Sequence, residues 1–308
     1  MSKYLDPKTD IVFKKIFGQH PHLLKSFLNA VLPLPEDGLI DSLEYLSNEQ
    51  APVIPAFKYT VVDVRCTDQK GRVFIVEMQI QWTTSFKQRM LFNASKAYVN
   101  QLEKGEHYHL LKPVYGLGLI NTIFEPDTND WYHHYKIVNV KSPRTEIKDL
   151  QLIFIELPKF KTQNLREKKL QVLWLRFMSE LNEKVNQVPL EWLEAPEIQE
   201  AVALAEETAY SPAELAAYDR YWDAISIEKT LVGDAYKSGQ DQGIALGFER
   251  GLEQGLEQGR EQGWEEGQRE IKYAMARRLL AKGLSAEEVA SLSELPLQVI
   301  ETLKLSVE

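Results

Sequence analysis

The chain has a single cysteine, Cys66, in 308 residues. That excludes an intramolecular disulfide and a zinc site built from several thiolates. No Cys-x-x-Cys pair and no His-Glu-x-x-His helix signature is present, and the six histidines fall as His20/His22, His107/His109 and His133/His134. Such pairs are more often surface or loop residues than metal ligands. No stretch approaches the ~18 consecutive apolar residues of a membrane helix, so no membrane partner is expected. The opening MSKYLDPKTD is polar and lacks the apolar segment of a secretion signal, which makes a cytoplasmic location the expectation.

The net charge of −9 would disfavour nucleic acid as a partner if it were spread evenly. It is not. Residues 1–190 carry 25 Lys and Arg against 21 Asp and Glu, and the remainder carries 11 against 24. The first part is mildly basic, as a phosphate-binding surface requires, and the acidic excess lies beyond it.

Within the basic part, two apolar runs of β type, FKYTVVDVRC and RVFIVEMQIQ, are joined by the turn-like TDQKG. Gly71 after Asp68-Gln69-Lys70 suits a tight connection, so a hairpin folds Asp63 back toward the second run. Side chains alternate along a strand, which puts Glu77 and Gln79 on one face and Val76, Met78 and Ile80 on the other. A carboxylate in such apolar surroundings must be paired or protonated. A pair satisfied by backbone donors or a lysine is one solution. A divalent cation is another, because Mg²⁺ binds oxygen ligands and typically uses one or two carboxylates.

At these residues the sequence resembles the recombination-promoting nuclease and transposase-like family of the PD-(D/E)XK nuclease superfamily. The resemblance runs from TDIVFKKIFG (9–18) through VVDVRCTDQKGRVFIVEMQ (61–79) and RMLFNASKAYVNQLEKGEHY (89–108) to KPVYGLGLIN (112–121). It implies a restriction-endonuclease-like α/β core, a mixed central sheet flanked by helices, with a metal-dependent phosphodiesterase site. The metal ligands it implies are Asp63 and Glu77, holding Mg²⁺ or Mn²⁺. Gln79 stands at the third catalytic position, where the superfamily most often has lysine and where a glutamine brings no charge. In related nucleases the first helix lends an acidic residue, which Asp10 matches, and Lys14, four residues on, is a candidate cation. Asp10 also suits the start of the helix beginning at IVFKKIF. Arg89 and Tyr98, on the expected helix from about Ser85 to Lys104, are candidate phosphate contacts or a face packed on the sheet. The expected activity is an endonuclease cutting double-stranded DNA. The alternatives are a catalytically weak or inactive member that binds nucleic acid or a partner, and a nuclease acting on RNA.

Four segments are expected: a nuclease-like domain over 1–160, a helical region over 161–238, a glycine-patterned segment over 239–268 and a small helical segment over 269–308. In the first, helices at 9–17 and 21–31 precede a strand near Ile40 to Leu46, then the hairpin, a helix, and the strands VYGLGLINTIF, WYHHYKIVNV and LQLIFIELP. REKKLQVLWLRFMSELNEKV is amphipathic, with Trp174, Phe177 and Leu181 on one face. Gln81 and Trp82, just past the motif, are expected to be a strand end and its cover.

Eight glycines, Gly239, Gly243, Gly247, Gly251, Gly255, Gly259, Gly263 and Gly267, recur every fourth residue. In a helix of 3.6 residues per turn that stripe drifts by about 40° per repeat. Each interior glycine costs about 0.8–1.0 kcal/mol against alanine, so the segment is a poor isolated helix. Ile244, Phe248, Leu252, Leu256 and Trp264 each follow a glycine of the stripe and make an apolar ridge. A homo-oligomerisation segment is expected, with a linker as the alternative. Beyond it, Gly283 stops a helix, Ser285 with Glu288 forms a capping box, and Pro296 opens a last helix, a layout reminiscent of a helix-turn-helix but with no arginine on its final helix.

Overall fold

A computed structural model describes residues 4–50, 60–80, 83–161 and 169–305. Gln81, Trp82, the first residues of the FKYT run and the start of the helix read from about Leu165 lie outside these. Among the described residues no helix is long and apolar enough to cross a membrane. The chain divides into two compact units, Met1–Ala224 and Ile225–Glu308.

The first unit begins with helices α1 (Asp10–Phe17) and α2 (Pro21–Val31). The strands that follow are β1 (Leu43–Tyr45), β2 (Glu49–Gln50), β3 (Thr60–Val61), β4 (Val64–Asp68) and β5 (Val73–Gln79). Helix α3 (Phe86–Val99) leads to β6 (Val114–Ile120), β7 (Tyr132–Asn139) and β8 (Ser142–Glu156), and then come α4 (Lys169–Glu180), α5 (Leu190–Leu193) and α6 (Pro196–Leu204). Six strands form one sheet in the order β1-β4-β5-β6-β8-β7, while β2 and β3 form a separate two-stranded ribbon. β5, β6 and β8 run parallel, and the outer pairings are antiparallel. Parallel strands are normally covered on both faces. Here every residue of β6 is buried.

The two faces carry separate clusters of apolar residues. On one, α3 lays Phe86, Met90, Ala94 and Ala97 over Val73, Ile75, Ile120 and Phe154. On the other, α1, α2, α4 and α6 build the larger core around Phe17, Phe27, Trp174 and Phe177. Trp174 and Phe177, read from sequence as one apolar face, meet edge-on there. α3 lies close to the sheet because β6 has glycine where the helix crosses it. A Cβ on Gly118 would come within 2.9 Å of both Phe86 and Phe154, and one on Gly116 within 2.9 Å of Met90 and Leu152.

Several elements differ in extent from the sequence pattern. β1 is shorter at its start because Ile40 instead exchanges two backbone hydrogen bonds with the Asn29 side-chain amide. α3 stops at Val99, and Gln101 beyond it bonds the backbone of Lys112 through both amide atoms. β8 begins eight residues before the apolar LQLIFIE stretch because its first half continues the ladder with β7. The largest difference concerns the run through Asp63, which is not one strand. β3 pairs with β2 and β4 with β5, so the chain leaves one ribbon and enters the main sheet at Val62-Asp63.

Helix α7 is one 70-residue element, Pro212–Ala281, that includes all eight glycines of the repeat. Within the first unit its early residue Tyr218 is buried, and its hydroxyl accepts from the Asp6 N–H. In the second unit α8 (Ala286–Ser293) and α9 (Leu297–Leu305) fold onto the end of α7 through Ala276, Val289, Ile300 and Leu303. Ser285 and Glu288 form the capping box, and Gly283 takes a positive φ of 84°.

Candidate active site

Asp63 owes its position to the break between β3 and β4. With Val64 opposite Val76, continuation of the ladder would set Val62 opposite Met78. The chain turns away before that point, and the Asp63 carboxylate takes the acceptor's place: Oδ2 receives the Met78 N–H at 2.7 Å. The backbone groups released by the turn also need partners. Asn48 supplies them, its Nδ2 donating to the Asp63 carbonyl at 2.8 Å and its Oδ1 accepting from the Arg65 N–H at 3.1 Å. Oδ1 of Asp63 has no hydrogen-bond partner among the described residues.

Glu77 lies on the α3 side of β5 and is only 5 % exposed. Helix α3 holds both of its oxygens. Asn93 Nδ2 donates to Oε1 at 2.8 Å and Arg89 Nη2 donates to Oε2 at 3.3 Å. The two helical residues are four apart and therefore share a face. The same Arg89 nitrogen donates to Oε1 of Gln79 at 2.5 Å, tying together the two β5 side chains that strand alternation puts on one face. The Arg89 guanidinium also lies over the Phe86 ring, 4.9 Å from its centroid.

Burial is the main reason that the Asp63 carboxyl is raised from its ordinary 3.8 to about 6. The negative charges of Glu77 and Asp10 push the same way, while the Met78 N–H and the Lys14 ammonium oppose them. Asp10 and Lys14 thus sit near enough for their charges to act on Asp63. They also pair with each other at 2.7 Å along α1. Tyr98 is not part of this group. It packs with the α3 cluster at the far end of the helix, and its phenol is raised by burial and by the Asp149 charge.

Asn48 and Asn93 escaped the sequence reading. Asn48 sits in a polar stretch that looks like any loop. Asn93 carries a usable signal, since a polar residue one turn after Arg89 on an otherwise apolar helix face needs a partner. The histidines are engaged elsewhere: His22 with Glu200, His134 with Gln151, and His133 with Glu156. Glu156, 0 % exposed at the end of β8, also meets Lys159 at 3.0 Å, so its charge is matched inside the fold.

Among the described residues no group of three or more His, Cys, Asp or Glu side chains forms a ready metal cage. The donor set of Asp63 and Glu77 fits a cation of another kind. Carboxylate oxygens are hard ligands, and Mg²⁺ or Mn²⁺ typically takes one or two carboxylates, with water and substrate completing its shell. A buried carboxyl pushed up by negative neighbours is one that a cation would relieve.

Comparison with known proteins gives a family model described as PD-(D/E)XK nuclease family transposase, which matches residues 7–230. No curated protein and no solved structure matches the chain.

Proposed function

From a chain that belongs to the PD-(D/E)XK nuclease family transposases, we propose a metal-dependent endonuclease that hydrolyses phosphodiester bonds of double-stranded DNA. The mixed sheet with helices on both faces is consistent with the restriction-endonuclease-like fold of that superfamily. The observation that carries the reading is that Asp63, at the break before β4, lies near enough to Glu77 of β5 for their charges to act on each other, each carboxylate being fixed by a hydrogen bond.

Asp63 and Glu77 would hold Mg²⁺ or Mn²⁺. When bound, such a cation acidifies water and neutralises phosphate charge. In the hydrolysis, a water oxygen bonds to phosphorus, the bond from phosphorus to the leaving sugar oxygen breaks, and one proton passes from the water to solvent or to that leaving oxygen. The chain's own residues orient the reactants. Gln79 offers its amide to the water, Asn93 fixes the Glu77 carboxylate, and Asn48 fixes the backbone that presents Asp63. Asp10 and Lys14 shape the local charge from α1.

Nicking of supercoiled plasmid by the purified protein in Mg²⁺ tests the proposal. Chelation by EDTA is expected to stop it, and Glu77→Ala to lower the rate by about 10³-fold or more, on the scale of losing a metal-centred step. A Glu77→Ala protein that nicks at the wild-type rate would refute it. A second reading, a weak or inactive member, is favoured by the neutral Gln79. In that case calorimetry would show no Mn²⁺ binding that depends on Asp63 and Glu77.

The proposed partner of α7 is a second copy of the chain. Ile244, Phe248, Leu252, Leu256 and Trp264 are all more than half exposed along it, and a row of large apolar side chains on a helix is ordinarily buried against another surface. Leu252→Glu with Leu256→Glu in the full chain is expected to lower the mass measured by light scattering to that of one chain. An unchanged mass would count against self-association through this helix.

A further inference from the structure

A phosphodiester under attack gathers negative charge on its non-bridging oxygens, and a neutral glutamine at residue 79 brings no positive charge to meet it. The structure places a cation against that glutamine. Arg89 reaches down from α3, and its Nη2 donates to Gln79 Oε1 at 2.5 Å and, more loosely, to Glu77 Oε2 at 3.3 Å. Its side chain is 44 % exposed, so the guanidinium faces both the site and solvent. Nη1 and Nε make no hydrogen bond among the described residues. A guanidinium is a planar fork of five N–H donors suited to gripping phosphate oxygens in pairs.

Holding Glu77 does not depend on this arginine. Asn93, 1 % exposed, already fixes Oε1 at 2.8 Å from inside the fold. Arg89 is also aimed, by the Phe86 ring beneath its guanidinium and by the Gln79 oxygen ahead of it. Lys14, the cation that the sequence suggested for this task, is instead paired with Asp10 on α1.

We propose that Arg89 is the catalytic cation of the site, carrying from α3 the positive charge that a lysine at residue 79 would carry from β5, with Gln79 as its anchor. The inference rests on the nuclease reading above. Gln79 has a definite task under it: its amide oxygen accepts the arginine.

A charge-swap series on the full-length protein tests this, with plasmid cleavage in Mg²⁺, Mn²⁺ affinity by calorimetry and thermal melting measured on every variant. Arg89→Gln is expected to lower kcat by about 10²–10³-fold, the cost of losing a transition-state donor. Its KM and Mn²⁺ affinity are expected to stay within about threefold, because uniform binding and metal ligation are left in place. Adding Gln79→Lys to that variant should restore at least about tenfold of the rate by returning the charge from the strand, an effect that mere loss of packing would not allow. Arg89→Lys, which keeps the charge and loses the fork, should fall between the two and serves as the comparison if Arg89→Gln fails to melt cooperatively. Full activity of Arg89→Gln, or a folded double variant with no recovery, would overturn the assignment while leaving the nuclease reading intact. A wild-type protein that does not cut at all would remove both.

Discussion

Asp63→Asn is expected to abolish cleavage and, in the same step, to make the metal-free protein more stable at neutral pH. The asparagine keeps an oxygen for the Met78 N–H, so the hydrogen bond that closes the strand break survives. What disappears is a buried negative charge beside Glu77 and Asp10, the combination that raises the Asp63 carboxyl to about 6. A group whose proton is held more tightly in the folded chain than in the unfolded one favours folding at low pH. Its contribution is whole below about pH 4, declines as pH rises toward 6, and is absent above that. Relative to an uncharged residue, the ionised Asp63 therefore costs about 1–3 kcal/mol at pH 7.5. Urea denaturation in EDTA should show the variant more stable by that amount at pH 7.5 and no gain at pH 4. Addition of Mn²⁺ should raise the Tm of the wild type and leave that of the variant where it was, since a ligand stabilises only the form that binds it. A variant that is less stable in EDTA at pH 7.5, or that still cuts, would mean that Asp63 is an ordinary structural acid.

That tension between stability and use also explains how much of the site could be read from the sequence. Alternation in RVFIVEMQIQ sets Glu77 and Gln79 on one face, and α3 does approach them from that side. The amphipathic patterns around Phe17, Phe27 and Trp174 mark a core that forms as its periodicity implies. What could not be read is where the run through Val61-Val62 stops being strand. Both sides of the break are apolar and β-branched, and the decision is made by Asn48, fifteen residues upstream of Asp63, whose amide satisfies the opened backbone. Long-range side-chain pairings of this kind leave no periodic trace. The partnership of Arg89 with Gln79 is hidden for the same reason, since nothing in a helix pattern states which strand residue its polar face will meet. The glycine repeat shows a different limit. Propensity alone weighs against a helix there, yet α7 runs unbroken from Pro212 to Ala281, and a Cβ on any of its eight repeat glycines would meet nothing within 4 Å.

Asn93 should prove nearly as critical as the proposed metal ligands, Asp63 and Glu77, although it carries no charge and touches no reacting atom. Its Nδ2 is the closest donor to a carboxylate that is almost wholly buried, and its Oδ1 is itself buried without a hydrogen-bond partner among the described residues. Asn93→Leu keeps the volume and removes the donor, leaving Glu77 with only the longer contact to Arg89. Stripping a partner from a buried charged acceptor costs about 1–3 kcal/mol, somewhat offset here because the orphaned oxygen goes too. Loss of a residue that orients a metal ligand typically lowers affinity or activity about 10–100-fold. Asn93→Asp separates these effects. It sets a second carboxylate against Glu77, which at pH 7.5 should destabilise the fold more than leucine does. On acidification the shared site gains a proton, an O–H can replace the lost N–H, and the difference between the two variants should shrink or reverse. Denaturation from pH 5 to 8, together with Mn²⁺ affinity, reads both consequences. If the leucine variant matches the wild type in affinity and cleavage, then Arg89 alone suffices to hold Glu77. If the aspartate variant shows no pH dependence relative to leucine, residue 93 is not in electrostatic contact with Glu77.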